Sequence, residues 1–367
     1  MSKEPAILIE SSSPITPVQA FVEDNGNNIY FYLWIHPESK NPQFKPCWIC
    51  NKKKAPITAD TKSMDKGMAP MLEAEYCKNP KKGETLDADK LNIVWFPDGD
   101  GAALLEEDKI ICCIPSWANE GFYGYSRFCK GTSNLAWEMN EDCENNLIQR
   151  VEDAKKFWEF FDDDIFDSET WPTYQKNMLS KLDNFFDERT NYFAIDGGKF
   201  PPKALVIGTL DGNIYGCTIA ASLFPMPKVE MYHQEETSRF SRIEIAFACK
   251  KDSMDEQTYK KYLNYIAMLG NLPWYELSWL GHGHTIDCNA IDGFPQAMLV
   301  NSSILTDIPS PKFDDIMGSP VNVLWVVPMT EKEFAFSSKN TSLELLEKYQ
   351  GDMKDLIVFD GQPKFIK

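Results

Sequence analysis

Residues 91–114, LNIVWFPDGDGAALLEEDKIICCI, alternate between apolar runs and turn-forming residues. The run at 91–96 is followed by the turn DGDG, a second apolar run, the polar turn EED and a third apolar run. Apolar, β-branched runs between Gly- and Asp-rich turns predict antiparallel strands that are joined as hairpins. We therefore expect the N-terminal part of the chain to be rich in β-structure.

The pattern changes period after the polar run that ends at residue 146. From Leu147 to about Phe186, apolar residues recur at three- and four-residue steps, which predicts two amphipathic helices. Farther along, the sequence predicts strands at 204–209, 243–248, 297–304, 321–327 and 356–359 and helices at 257–269 and 343–349.

These elements mix without a regular strand–helix alternation, which favours an α+β fold over a doubly wound sheet. We expect mixed or antiparallel sheets with flanking helices. The length of 367 residues and the change of pattern predict two domains, a β-rich one at 1–146 and an α+β one at 147–367.

The composition describes an acidic, folded protein. The net charge is −18 and aromatic residues make up 13% of the chain, far more than a disordered protein carries. Such a charge repels nucleic acid and anionic membranes and attracts basic partners. The charge could also serve only to keep the protein soluble.

The cellular location is predicted from the absence of targeting signals. The N-terminal sequence lacks the long apolar stretch of a signal peptide, and no segment approaches 18 consecutive apolar residues. The 10 cysteines are too sparse for a small disulfide scaffold. We expect a soluble, cytoplasmic protein whose thiols are mostly reduced.

Cys47 and Cys50 have the two-residue spacing of a zinc or redox pair. A structural zinc needs four ligands, and the nearest further candidates are Cys77 and His36, with no second pair at this spacing. A redox pair is normally placed at the start of a helix, which Pro46 only weakly suggests. Incidental thiols are the simplest interpretation.

His282 and His284, followed by Asp287 and Cys288, resemble the HxH form of some metal sites. On a strand the two imidazoles would project from one face and could bind one ion. The glycines that flank His282 instead suggest a loop whose imidazoles form hydrogen bonds. This loop is the basis of an alternative hypothesis, a metal-dependent enzyme.

Other signatures of catalysis are missing from the sequence. It contains no GxSxG elbow, phosphate-binding GxxxxGK[ST] loop or HExxH helix, and only 4 histidines. The aspartates at 162–164 are best explained as a solvated helix end, and DGDG at 98–101 lacks the final Glu of a calcium loop. We expect no enzymatic activity and no cofactor.

Three motifs in the C-terminal half resemble the suppressor-of-fused domain as it occurs in bacteria. The first is RIEIA at 242–246, and the second is WLGHGHTI at 279–286, in which residues 283–286 match and His282 is extra. The third is VLWVVPMTE at 323–331. Their order and spacing agree with the family over about 151–360, although its small-residue pattern is blurred at 213–238.

The N-terminal half resembles a module that accompanies this domain in bacterial proteins, through IVWFPDGDGA at 93–102 and IPSW at 114–117. The family's animal members sequester a transcription factor by closing two lobes around an extended peptide, and its bacterial members include immunity proteins against toxins. The resemblance therefore implies a protein-binding module, and its bacterial style favours an immunity protein. The acidity suits a basic toxin. Peptide capture by strand addition is a further possibility.

Five residues are candidates for contact with a partner. They are Trp117, Phe122, Tyr123, Tyr125 and His284. Large aromatic side chains in loops often dominate the energetics of an interface. The four aromatics could equally cover the core of the first domain, and His284 could equally serve a structural role.

Overall fold

The computed structural model describes residues 5–161 and 170–366, and contact clustering divides the chain into two units, Met1–Asp163 and Asp164–Lys367. The described residues form both helices and strands, and the sheets are mainly antiparallel. The predicted α+β class is confirmed. The aspartates at 162–164 lie outside the described residues.

The first unit contains two sheets whose neighbouring strands are antiparallel, except for one parallel pair at the end of the five-stranded sheet. One sheet runs in the order β1-β2-β3-β4 and the other in the order β5-β6-β7-β8-β9. The bounds are β1 Ala6–Ser12, β2 Val18–Asp24, β3 Asn28–Ile35, β4 Gln43–Asn51, α1 Thr61–Met64, β5 Leu91–Trp95, β6 Ala102–Glu106, β7 Lys109–Ile114, β8 Tyr125–Ser126, β9 Trp137–Glu138 and α2 Glu141–Phe160.

The stretch that predicted hairpins forms β5, β6 and β7, which pair in antiparallel order. Helix α2 covers this sheet, and its buried Leu147, Val151 and Ala154 pack against strand residues such as Leu105. The sequence therefore identified both the hairpins and the amphipathic helix.

Helix α2 begins earlier than the sequence pattern indicated. Asn140 caps it by accepting a hydrogen bond from the Cys143 amide at 2.9 Å, and acidic residues occupy its first turn. The polar run that was expected to separate the domains is thus the start of a helix. Because this helix packs on the five-stranded sheet, the units divide after it, whereas the predicted border lay near residue 146.

The second unit is built on an eight-stranded sheet in the order β10-β11-β12-β13-β16-β15-β14, with β17 beside β13. Neighbours are antiparallel except that β13 runs parallel to both β16 and β17. The bounds are α3 Thr170–Asp183, β10 Glu188–Ala194, β11 Ala204–Leu210, β12 Asn213–Ile219, α4 Val229–Tyr232, α5 Thr237–Phe240, β13 Arg242–Cys249, α6 Glu256–Leu269, α7 Leu272–Tyr275, β14 Thr285–Asp287, β15 Gln296–Asn301, β16 Val321–Met329, α8 Glu331–Lys339, α9 Ser342–Leu346, α10 Met353–Leu356 and β17 Val358–Phe359.

The central strands β13 and β16 are almost entirely buried, because helices cover the sheet. All residues of β13 are buried, and Trp325 of β16 lies in a core cluster with Leu182 of α3 and Leu345 of α9. Tyr262 of α6 is fully buried and packs edge-on against Phe247 of β13. The largely apolar runs at 243–248 and 321–327 reflect this burial.

Candidate functional site

The GHGH loop, residues 281–284, lies next to a cluster of aromatic rings centred on Trp279. The Tyr232 ring stacks on Trp279 with centroids 5.5 Å apart, and the His233 and His284 rings meet it edge-on at 4.8 and 4.3 Å. Burial lowers the pKa of His284, and the neighbouring His233 lowers it further. Both effects favour the neutral form of the His284 imidazole.

His282 has a structural hydrogen bond. Its Nδ1 accepts from the backbone amide of Asn301 at 3.2 Å, which ties the loop to the end of β15. Gly283 has a φ of +80°, so the turn between the two histidines favours glycine. This agrees with the interpretation in which an imidazole stabilises the loop.

The loop residues do not assemble into a metal site. The Asp287 carboxylate accepts from Gln296 at 2.5 Å, and Cys288 is buried. Across residues 5–161 and 170–366, no group of three or more His, Cys, Asp or Glu side chains is placed to hold a metal ion. Cys47 and Cys50 therefore belong to no such group among the described residues. Burial raises the pKa of Cys50 far above its usual value.

A buried polar network lies beside the loop that follows β12. Glu244 of β13 is fully buried and accepts hydrogen bonds from Thr218 Oγ1 at 2.6 Å, from Ser222 Oγ at 2.6 Å and from the Ser222 amide at 3.1 Å. Arg242, also buried, donates to the Ser222 and Leu223 carbonyls at 2.9 and 2.5 Å. The network fixes the turn at 220–223 to the central strand.

Burial changes the protonation equilibria in this network. Burial raises the pKa of Glu244 to about 7, although its hydrogen bonds oppose the shift, and burial lowers the pKa of Lys203 to about 7. The Lys203 ammonium lies 3.9 Å from the centroid of the Trp274 ring and donates to the Gly270 carbonyl at 3.3 Å. The sequence did not predict that Lys203, Arg242 and Glu244 form a buried cluster. The motif RIE at 242–244, which places two charged residues in an apolar strand, was the available signal.

The structure brings together only some of the aromatic residues that were predicted to contact a partner in the first unit. Phe122 packs against Tyr125 at 4.9 Å and against Trp137 at 4.5 Å, measured between ring centroids, whereas Trp117 lies under the Arg150 guanidinium. All four predicted aromatics, including Tyr123, are partly buried. This placement agrees with the interpretation in which they cover the core, and their role in binding stays a prediction.

The edge of the large sheet was not predicted by the sequence analysis. Every residue of β10 is exposed, and Tyr192 and Phe193 each leave 42% of their surface accessible. In the described part of the chain, β11 is the only strand that pairs with β10. The sequence ERTNYFA contains β-formers but little alternation, so its signal as a strand is weak.

Residues 210–360 match the family model described as Suppressor of fused protein (SUFU). The C-terminal part of the chain carries a suppressor-of-fused domain. The match runs from the end of β11 past β17 and contains all three motifs that carried the resemblance, although it covers less than half of the chain. A SUFU domain indicates a protein-interaction module. No curated protein matches the chain.

None of the helices in the described ranges is both long enough and apolar enough to cross a membrane.

Proposed function

We propose that the chain is a non-enzymatic immunity protein that neutralises a basic toxin by pairing β10 with an extended segment of it. The SUFU domain supports a protein-interaction role, and the exposed edge of β10 is the observation that carries the proposed mode of binding. An open strand edge offers backbone donors and acceptors to a peptide, and neighbouring side chains supply selectivity.

The backbone of β10 is oriented for such pairing. The Ile195 amide donates to the Lys203 carbonyl at 2.9 Å, and the register continues through Phe193 opposite Leu205. Amides alternate in direction along an antiparallel ladder. The amides of Tyr192 and Ala194 therefore point away from β11, towards an added strand.

The surroundings of this edge suit a cationic segment. Asp187, Glu188 and Asp196 lie on or beside β10, and all three are acidic residues of the second unit. The net charge of −18 extends this attraction to the whole chain, since complementary charge accelerates association. Tyr192 and Phe193 add exposed aromatic surface, which is common at binding hot spots.

The test compares Tyr192→Pro with Tyr192→Thr. Both variants lose the ring and its hydrogen bond from Gln175, but only proline removes the outward amide. Each tagged protein captures partners from the native lysate. The captured protein is identified by mass spectrometry, purified and titrated by calorimetry at low and high salt. We expect one dominant basic protein, bound at least about tenfold more weakly by Tyr192→Pro than by Tyr192→Thr.

Two further results are expected from the purified partner. Its affinity should fall as salt rises, and co-expression of the wild-type chain should relieve the growth arrest that the partner causes alone. The proposal is wrong if there is no stoichiometric partner, if the two variants bind alike, or if salt has no effect. Circular dichroism of both variants verifies that they are folded.

A further inference from the structure

Cys77 and Cys129 face each other across an isolated antiparallel bridge in the first unit. The Lys78 amide donates to the Phe128 carbonyl at 3.0 Å, and the Lys130 amide donates to the Tyr76 carbonyl at 2.7 Å. Because these bonds flank the two cysteines, the cysteines form a non-hydrogen-bonded pair. In such a pair the Cα atoms lie about 4.5 Å apart and the side chains are adjacent.

This spacing is within the range of about 4.4 to 6.8 Å that disulfides span. Both residues are free thiols in the structure, and both are buried. Burial, together with the nearby Cys47 and Cys77, raises the pKa of Cys129 to about 12. The other buried thiols include Cys47 and Cys112, which are also in contact.

We propose that Cys77 and Cys129 are an oxidation site, at which a small-molecule disulfide such as glutathione disulfide forms a cross-strand disulfide. The bond would tie the long polar segment after β4 to the end of β8. It would close a ring of roughly 50 residues, which reduces the conformational entropy of the unfolded chain.

The reaction proceeds by two exchanges. Cys77, 6% exposed against 0% for Cys129, is the more accessible thiol and reacts first with the small disulfide. Its thiolate attacks one sulfur of the small disulfide, breaks the S–S bond and releases one thiolate. The Cys129 thiolate then attacks the Cys77 sulfur of the mixed disulfide and releases the second thiolate. The protein pair loses two electrons and two protons, and the small disulfide becomes two thiols.

Burial also predicts the rate of this reaction. It raises the pKa of Cys77 to about 11, so the reactive thiolate is rare at neutral pH. Oxidation should therefore be slow in the folded chain and should accelerate as the pH rises. Once formed, the buried bond should resist brief exposure to reductant.

The test incubates the full-length folded chain with glutathione disulfide, alkylates the remaining thiols and maps linked peptides by mass spectrometry without reduction. We expect one link, between Cys77 and Cys129, and a melting temperature about 10 °C higher than that of the reduced chain. Cys77→Ser and Cys129→Ser should each abolish both the link and the shift.

The matched control is Cys143→Ser, which removes the only cysteine classed as partly exposed among the free thiols of the described chain. It should retain the link and the thermal shift. A link between Cys47 and Cys112 or another pair, or no link after long incubation at alkaline pH, would overturn the proposal. The same oxidation in urea gives the unselective pattern for comparison.

Discussion

At the scale of single residues, this protein is unusual for the ionisable groups that it buries. Glu244 and Lys203 lie in the interior, and both have pKa values shifted to about 7 by burial. Charged groups in such places are tolerated only where hydrogen bonds or partners compensate them. Here the hydroxyls of Thr218 and Ser222 compensate Glu244, which makes the carboxyl a structural anchor of the turn at 220–223.

Glu244→Ala should strongly destabilise the protein. It removes the acceptor of three hydrogen bonds and leaves the Thr218 and Ser222 donors buried, so we expect the free energy of unfolding to fall by about 3 kcal/mol. Glu244→Gln keeps the volume and one acceptor and should lose less. Urea denaturation measures both, with exposed Glu256→Ala as a control that should stay close to the wild type. Equal losses for Ala and Gln at position 244 would contradict this role.

His284 should make the protein less stable in mild acid. Its folded pKa lies below the ordinary histidine value of 6.5, so the unfolded chain binds the proton first as the pH falls. The contribution of His284 to the free energy of unfolding is fully present above pH 6.5 and decreases as the pH falls towards the folded pKa. Below the folded pKa it no longer changes with pH. His284→Phe keeps the edge-on contact with Trp279 but cannot be protonated.

The measurement is the free energy of unfolding in urea at about pH 7.5 and about pH 5.5, on either side of the histidine range. His284→Phe should lose less stability between the two than the wild type. The control is His36→Asn, because His36 has a φ of 49° that asparagine tolerates. An unchanged pH dependence in His284→Phe would show that this imidazole does not titrate on unfolding.

At the scale of elements, the sequence indicates where a helix begins when a side chain forms hydrogen bonds with the free backbone amides of its first turn. Thr330, in the sequence PMTEKE at 328–333, caps helix α8, because a hydroxyl followed by acidic residues is a typical helix start. Thr330 and Glu333 form a capping box at the start of α8, with the Thr330 hydroxyl accepting from the Glu333 amide at 3.4 Å. Glu333 also accepts from the Phe365 amide at 2.7 Å, so the cap anchors the C-terminal segment as well.

Thr330→Ala should therefore destabilise the chain by about 1 kcal/mol, the usual value for loss of an N-cap. Thr330→Ser keeps the hydroxyl and should stay close to the wild type. Thermal or urea unfolding monitored by circular dichroism compares the two. A serine variant as unstable as the alanine variant would assign the effect to the lost methyl group instead of the cap.

At the scale of the whole molecule, each of the two structural units is acidic. Acidic residues outnumber basic ones in both halves of the chain, so the net charge of −18 is not confined to one unit. A field of this kind acts over about a Debye length and is screened by salt. Such a field attracts basic molecules in general and does not select a binding face. The proposed function assigns that selection to the edge of β10.

The sequence by itself determined the elements whose pattern is local. The hairpins β5–β7, helix α6, the buried strands β13 and β16 and the cap at Thr330 all follow from period, turn chemistry or capping. The three motifs also identified the family that the comparison confirms. These signals depend on residues within a few positions of one another.

Only the tertiary structure decided which distant residues meet. It placed His233 against Trp279, Cys77 opposite Cys129 and Ser222 within hydrogen-bond distance of Glu244. Among residues 5–161 and 170–366, it also left β10 paired on one side only. Such contacts join residues far apart in the chain, and burial sets their pKa values. The periodicity of a sequence contains no information about which distant residue a side chain will contact. The network around Glu244 and the edge position of β10 therefore could not be predicted from the sequence.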